Sequence, residues 1–139
     1  MSNTYSRDFT ALPEHIDVNG HVNNAVWLRW MEELSGEHWE RDARGEDRDL
    51  YVWLVLRHEI DYRGNVGEGA VVTGETVIRE GPRGPRFVRH FAFTDADGKE
   101  LVRAQTTWAM VDKASGRLKR VPSEVAAPFM PETGWERAG

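Results

Sequence analysis

The chain has 139 residues, a formal net charge of -5 and no cysteine. That length is enough for one hydrophobic core without staples, so a single domain over residues 1–139 is expected, and the missing thiols exclude disulfides, thiolate metal sites and a cysteine nucleophile. A pI near 5.5 argues against a general nucleic-acid binder, and no segment reads as a signal peptide or reaches the ~20 apolar residues of a membrane span, so a cytoplasmic address is expected.

In chain order, Tyr5 to Leu12 is compatible with a short strand that Pro13 stops. The polar stretch "HIDVNGHVNN" follows, and then a helical pattern. Val26, Trp30 and Leu34 recur at i, i+4 and i+8, with Trp27, Met31, His38 and Trp39 beside them, while Arg29, Glu32, Glu33, Glu37 and Glu40 fall largely elsewhere. Asn23 or Asn24 suits the N-cap, and "RDARGEDRD" reads as a charged, exposed connection.

After Leu50 the chain reads as extended. "YVWLVLRHEIDYR", "GAVVTGETVIRE", "PRFVRHFAFTDA" and "KELVRAQTTWAMVDK" are rich in Val, Ile, Thr and aromatic residues. The turn-forming pieces "GNVGEG", "GPRGP", "DADGK" and "KASGR" separate or end them, and hairpins of this kind make an antiparallel sheet. One strand, one long helix and then four strands predict an α+β fold in which an antiparallel sheet wraps the helix. The end, "SEVAAPFMPETGWERAG", reads as a short turn or helix with a loose tail from about residue 130.

Several chemistries fail on spacing. Counted from Asp17, an EF-hand loop would need Gly and Glu where Val22 and Leu28 stand. "HEIDY" has Tyr62 where a zinc-protease helix has its second histidine. There is no phosphate-binding glycine loop and no G-x-S-x-G elbow. What remains is Asp17, Asn19 and His21 at alternate positions around Gly20, with Asn23 and Asn24 opening the helix. The free amides of a helix's first turn can polarise a carbonyl, a carboxylate can act as nucleophile or general base, and amide or imidazole groups can orient water. That inventory suits hydrolysis of an activated acyl group. A purely structural reading stays open beside it, because Asp, Asn and Gly also cap helices and make turns. His15, His38, His58 and His90 are expected to be core or rim residues.

"DVNGHVNNAVWLRWMEE", Asp17 to Glu33, resembles the D-x-N-x-H-V-N-N-x-x-Y/W segment of the hotdog-fold thioesterases, in particular the plant-type acyl-ACP (acyl carrier protein) thioesterases and their bacterial relatives. "TTWAMVDKASGRLKRVPSEV" is similar to the family's late strand, turn and exit. The resemblance implies a sheet around a central helix, paired as a homodimer or homotetramer, with sites at the subunit interface and no metal or redox cofactor. Asp17 matches the acidic residue of the 4-hydroxybenzoyl-CoA thioesterases, and Asn19, His21, Asn23 and Asn24 match positions of the acyl-ACP group. The implied roles are Asp17 as nucleophile or general base, Asn19 and His21 as positioners of water and thioester, and amides around Val22, Asn23 and Asn24 as the oxyanion site. The plant-type enzymes carry a further glutamate in the region that reads "EIDYRGNVGEG", where Glu59 is the candidate; an ordinary pairing with Arg57 or Arg63 is the alternative.

The expected substrate is an acyl-CoA or acyl-ACP, with no nucleic-acid partner. Arg79, Arg83, Arg86 and Arg89 gather in "REGPRGPRFVRH" and could bind the phosphates of either carrier. A solvated hairpin is the plainer account of them. Two other functions remain open at this stage, a non-catalytic module that binds acyl thioesters and, disfavoured by the motif, a hydroxyacyl-thioester dehydratase.

Overall fold

The computed structural model describes residues 2–136. Five strands form one antiparallel sheet in the order β1-β3-β4-β5-β2, with β1 at Thr4–Thr10, β2 at Tyr51–Tyr62, β3 at Val71–Val77, β4 at Arg86–Thr94 and β5 at Glu100–Asp112. The helix α1, Asn24–Asp42, lies across the inner face of the sheet. Its apolar stripe explains why: Val26, Trp27, Trp30, Met31 and Leu34 are all buried against Phe9, Val72, Phe91, Phe93 and Val102. Gly74 lets the helix sit close, since a Cβ there would lie 2.8 Å from both Phe9 and Phe93 and 3.0 Å from Leu34. This is the expected α+β arrangement of a sheet wrapped around one helix.

Strand alternation decides which side chains meet α1. Along β4, Phe87, Arg89, Phe91 and Phe93 are buried and their neighbours are not. Across the ladder they stand opposite Trp108, Thr106, Ala104 and Val102 of β5. A second cluster gathers Phe87, Met110, Val121, Val125 and Phe129, with Trp39 and Trp53 packed against it.

Two expectations need correcting. "RDARGEDRD" is not an exposed connection throughout, because Gly45–Leu50 forms a short helix, α2, and Asp42 and Asp47 are buried. Charge alone misleads here, since Arg41 bonds both oxygens of Asp42 and Arg44 both oxygens of Asp47, which removes the cost of burying them. The chain beyond residue 130 is not loose as far as it is described. After the helix α3, Ser123–Ala126, and a 3-10 turn, Trp135 packs on Phe87 and Glu136 N–H donates to the Arg79 carbonyl. The last three residues of the expected tail lie outside the described residues.

Candidate active site

The loop before α1 is built by its own side chains. Asp17 Oδ1 accepts the amides of Asn19 at 2.9 Å and His21 at 3.2 Å, and the Asp17 amide donates to the His21 carbonyl at 2.8 Å. An aspartate folding the next residues back on itself in this way needs one residue with positive φ, and Gly20 supplies it at 77°. Asn23 then caps the helix, its side chain accepting the Ala25 amide at 2.9 Å, while its own amide donates to the His15 carbonyl.

This turn brings Asp17, Asn19, His21 and Asn24 to one loop at the positive end of a 19-residue helix. Asp17 is half-buried; Asn19, His21, Asn23 and Asn24 are exposed, and Val22 is buried. Among the described residues no hydrogen bond or ion pair engages the side chains of Asn19, His21 or Asn24. Asp17 Oδ1 is held by two amides, which leaves Oδ2 for a further donor.

Of the amides expected at the oxyanion site, that of Val22 donates to Asn65 and Val66 and that of Asn23 to His15, while the neighbouring His21 amide donates to Asp17. The Asn24 amide, at the first turn of α1, is outside these loop bonds.

Asn65 is the residue the sequence reading missed. Its Oδ1 accepts the Val22 amide at 3.0 Å and its Nδ2 donates to the Val22 carbonyl at 3.1 Å, so one side chain pairs with Val22 as a strand would. It lies within "EIDYRGNVGEG", the region in which the resemblance implies a further glutamate. A polar residue between glycines in a turn was the available signal. Glu59 is elsewhere: its Oε1 pairs with Arg57 at 2.7 Å and its Oε2 accepts from Gln105 at 2.7 Å. Its cross-strand partner Gln105 sits next to the inward-facing Thr106, so Glu59 is on the outer face of the sheet, away from α1.

The four arginines do not form one surface cluster. Arg79, Arg83 and Arg86 are exposed, but the alternation of β4 turns Arg89 inward, where it is buried. Its Nη1 donates to His38 Nδ1 at 2.7 Å and to Thr76 Oγ1 at 3.2 Å. Because a guanidinium only donates, His38 must accept at Nδ1 and carry its proton on Nε2, which faces the Ser2 carbonyl at 2.7 Å and Asp42 at 3.3 Å. Burial, and then the Arg89 charge, lower the His38 pKa to about 4. His90 pairs with Glu80, His58 with Thr106, and His15 accepts the Leu12 amide. Among the described residues no three His, Asp or Glu side chains converge as metal ligands, and no helix is long and apolar enough to cross a membrane.

Comparison with known proteins bears on this geometry. The sequence matches the thioesterase-like superfamily over residues 11–129. No curated protein matches it. Among solved structures it is similar to a 1,4-dihydroxy-2-naphthoyl-CoA thioesterase from Synechocystis, with 14% identity and a TM-score of 0.77 over 91% of this chain and 95% of that one. It is similar to a Staphylococcus aureus protein solved in complex with CoA, at 15% identity and a TM-score of 0.82 over 98% of this chain and 88% of that one. An acyl-ACP thioesterase from Bacteroides thetaiotaomicron gives 21% identity and a TM-score of 0.80, covering 99% of this chain and 57% of that enzyme. At such identities the likeness is one of fold, and the fold is the hotdog.

Proposed function

The chain belongs to the thioesterase-like superfamily, and from that premise we propose that it hydrolyses an acyl-CoA or acyl-ACP thioester to free acid and thiol at the loop Asp17–Asn24. The observation that carries this reading is the half-buried Asp17 carboxylate, anchored through one oxygen beside a helix start whose Asn24 amide is uncommitted. An anchored carboxylate with one free oxygen suits a general base. Asp17 Oδ2 takes a proton from water as the water oxygen attacks the thioester carbon. The developing oxyanion is held by the Asn24 amide and the helix dipole. Collapse of the tetrahedral intermediate breaks the C–S bond, and the leaving thiolate takes the proton from Asp17 Oδ2, which restores the carboxylate. Asn19 and His21, with free side chains, position the water and the thioester.

The exposed site loop needs a wall, and we assign that wall to a second copy of the chain. β2 is a 12-residue strand at the edge of the sheet. It exposes Val52, Leu54, Val55 and Leu56, an apolar edge that a soluble monomer does not leave open. Arg79, Arg83 and Arg86 are the proposed contacts for the carrier's phosphates.

Thiol release from acyl-CoA and acyl-ACP panels tests the reaction. Asp17→Asn is expected to lower kcat by about 10²–10⁴-fold, the usual contribution of a positioned base, and His21→Ala to lower it less. Wild-type rates in both variants would refute the mechanism. Thioesters that bind the wild type and stay intact for hours would instead make this a binding module.

A further inference from the structure

A cavity of about 180 Å³ flanks the C-terminal half of α1, between that helix and the β4, β5 and β2 part of the sheet. It is separate from the site loop. Ser35 and Trp39, which line it, are 11 and 15 residues beyond Asn24, and at ~1.5 Å per residue that is about 16–23 Å along the helix. Trp39, Trp53, Ile78, Phe87, Trp108 and Phe129 give the cavity apolar, mostly aromatic walls, and the exposed Glu32 and Gly36 lie at its rim. An apolar cavity of about 150 Å³ accepts a benzene ring, so this one has room for a single ring with a small substituent.

Two polar groups interrupt those walls. Trp108 Nε1 is buried and has no acceptor among the described residues. Arg89, 7% exposed, also lines the cavity, and on the inner face of the sheet it stands diagonal to Trp108, since Phe87 pairs with Trp108 and Arg89 with Thr106. A buried arginine is normally neutralised by a carboxylate, because an isolated charge in an apolar interior is costly. Here the guanidinium meets only neutral partners, His38 Nδ1 and Thr76 Oγ1, both through Nη1. Asp42 stands on the other edge of the His38 ring, where Arg41 and the Ser2 amide engage it. Burial pulls the Arg89 pKa down to about 9, which leaves it a cation at neutral pH. With Nη1 alone engaged, the donors on Nε and Nη2 have no acceptor among the described residues.

We propose that this cavity is a ligand site in its own right, separate from the site loop, and that it takes a free monocarboxylic acid bearing one aromatic ring. The ring packs among the aromatic walls, the carboxylate supplies the counter-charge that Arg89 lacks, and Trp108 Nε1–H is a further donor in the wall. A planar carboxylate with one charge matches one guanidinium, whereas a phosphate would bring a second charge into apolar surroundings. The ligand is not tethered to a thiol carrier, so nothing has to reach from the cavity to Asp17, and the inference stands whether or not the chain hydrolyses thioesters.

Three small probes test it on the full-length chain. Phenylacetate and phenylacetamide have nearly one shape and differ in charge, while acetate keeps the charge without the ring, and calorimetry reads the three affinities. The wild type is expected to bind phenylacetate about tenfold or more tighter than either of the others, the scale of one charge-assisted contact or one buried ring. The preference over the amide is expected to vanish in Arg89→Gln and to survive in part in Arg89→Lys. Equal affinity for acid and amide, acetate binding as tightly as phenylacetate, or binding of none of the three overturns the proposal without any variant having to fold. Because a free acid is also what the site loop would release, Asp17→Asn is measured alongside. Affinity kept in Asp17→Asn and lost in Arg89→Gln places the acid in the cavity; the reverse pattern overturns it. A preference for the acid that emerges only in Glu32→Gln would make Glu32 the partner of Arg89 and would overturn it too. Thioester turnover, present or absent, changes none of these outcomes.

Discussion

Asn65 holds the site loop by a single side chain, accepting from and donating to Val22 on the same peptide path that carries His21 and Asn24. Asn65→Ala removes both bonds, leaving the Val22 carbonyl without this donor and the Val22 amide with only the longer bond to the Val66 carbonyl, a loss of about 1–3 kcal/mol in stability. Because the loop then no longer fixes the Asn24 amide, kcat is expected to fall by more than KM rises. Steady-state kinetics beside a urea melt checks this; a stability loss with unchanged kcat would make Asn65 merely structural. The turn itself is legible in the sequence because Asp17, Gly20 and Asn23 each act on backbone no more than four residues away. Asn65 is not, since its partner is 43 residues distant and only the folded sheet brings them together. Arg89 shares the parity of Phe87, Phe91 and Phe93 in the sequence, but both parities of that strand carry apolar residues, and only the fold shows that this one faces inward.

At the level of elements, His38 ties α1 to the Ser2 carbonyl ahead of β1 and to Arg89 of β4. That junction carries a pH dependence. In the unfolded chain His38 takes up a proton near its ordinary 6.5, whereas in the fold burial and Arg89 delay this to about 4. Between those values the unfolded state binds more protons, so stability is full above about pH 6.5 and declines as the pH falls toward 4. The loss is ~3 kcal/mol across that window. At Asp42, burial alone would raise the pKa, but the bonds from Arg41 and Ser2 outweigh it and hold the carboxyl at about 2. Its contribution is lost only at lower pH, below its ordinary 3.8. Urea midpoints at several pH values check the His38 share. His38→Gln, whose amide can accept from Arg89 and donate to Ser2 without titrating, is expected to flatten the decline, and an unchanged slope would assign it to other groups. The strands and the long helix are legible from β-branched runs and apolar periodicity. Helix α2 is not, because buried Asp47 takes its sense from Arg44 rather than from its own hydropathy.

For the molecule as a whole, the exposed apolar edge of β2 makes assembly the central question. Replacing Leu54 and Leu56 together by Glu is expected to weaken self-association by about 100-fold or more, given ~1.5–3 kcal/mol for each fully buried leucine. Sedimentation of the wild type and the variant reads this directly. The proposed site is built between copies, so the variant is expected to lose thioester hydrolysis while keeping its far-UV circular dichroism. A wild type that sediments as a monomer and still turns over would remove the need for a second copy. The edge position of β2 is not readable from its residues, which look like those of any central strand; it follows from which strands pair.

The strand order also governs the sequence of events by which the chain reaches this shape. β3, β4 and β5 are successive hairpins that close over short loops, whereas Asp8 of β1 meets Thr73 across 65 residues and Glu59 of β2 meets Gln105 across 46. Loop closure makes distant pairings slow, so the central meander is the expected nucleus and β1 and β2 join as late arrivals. Pulsed hydrogen exchange during refolding should protect β3 to β5 first. The edge that is expected to pair with a second copy would then be among the last parts to form, and at high concentration folding and association would compete for the same strand.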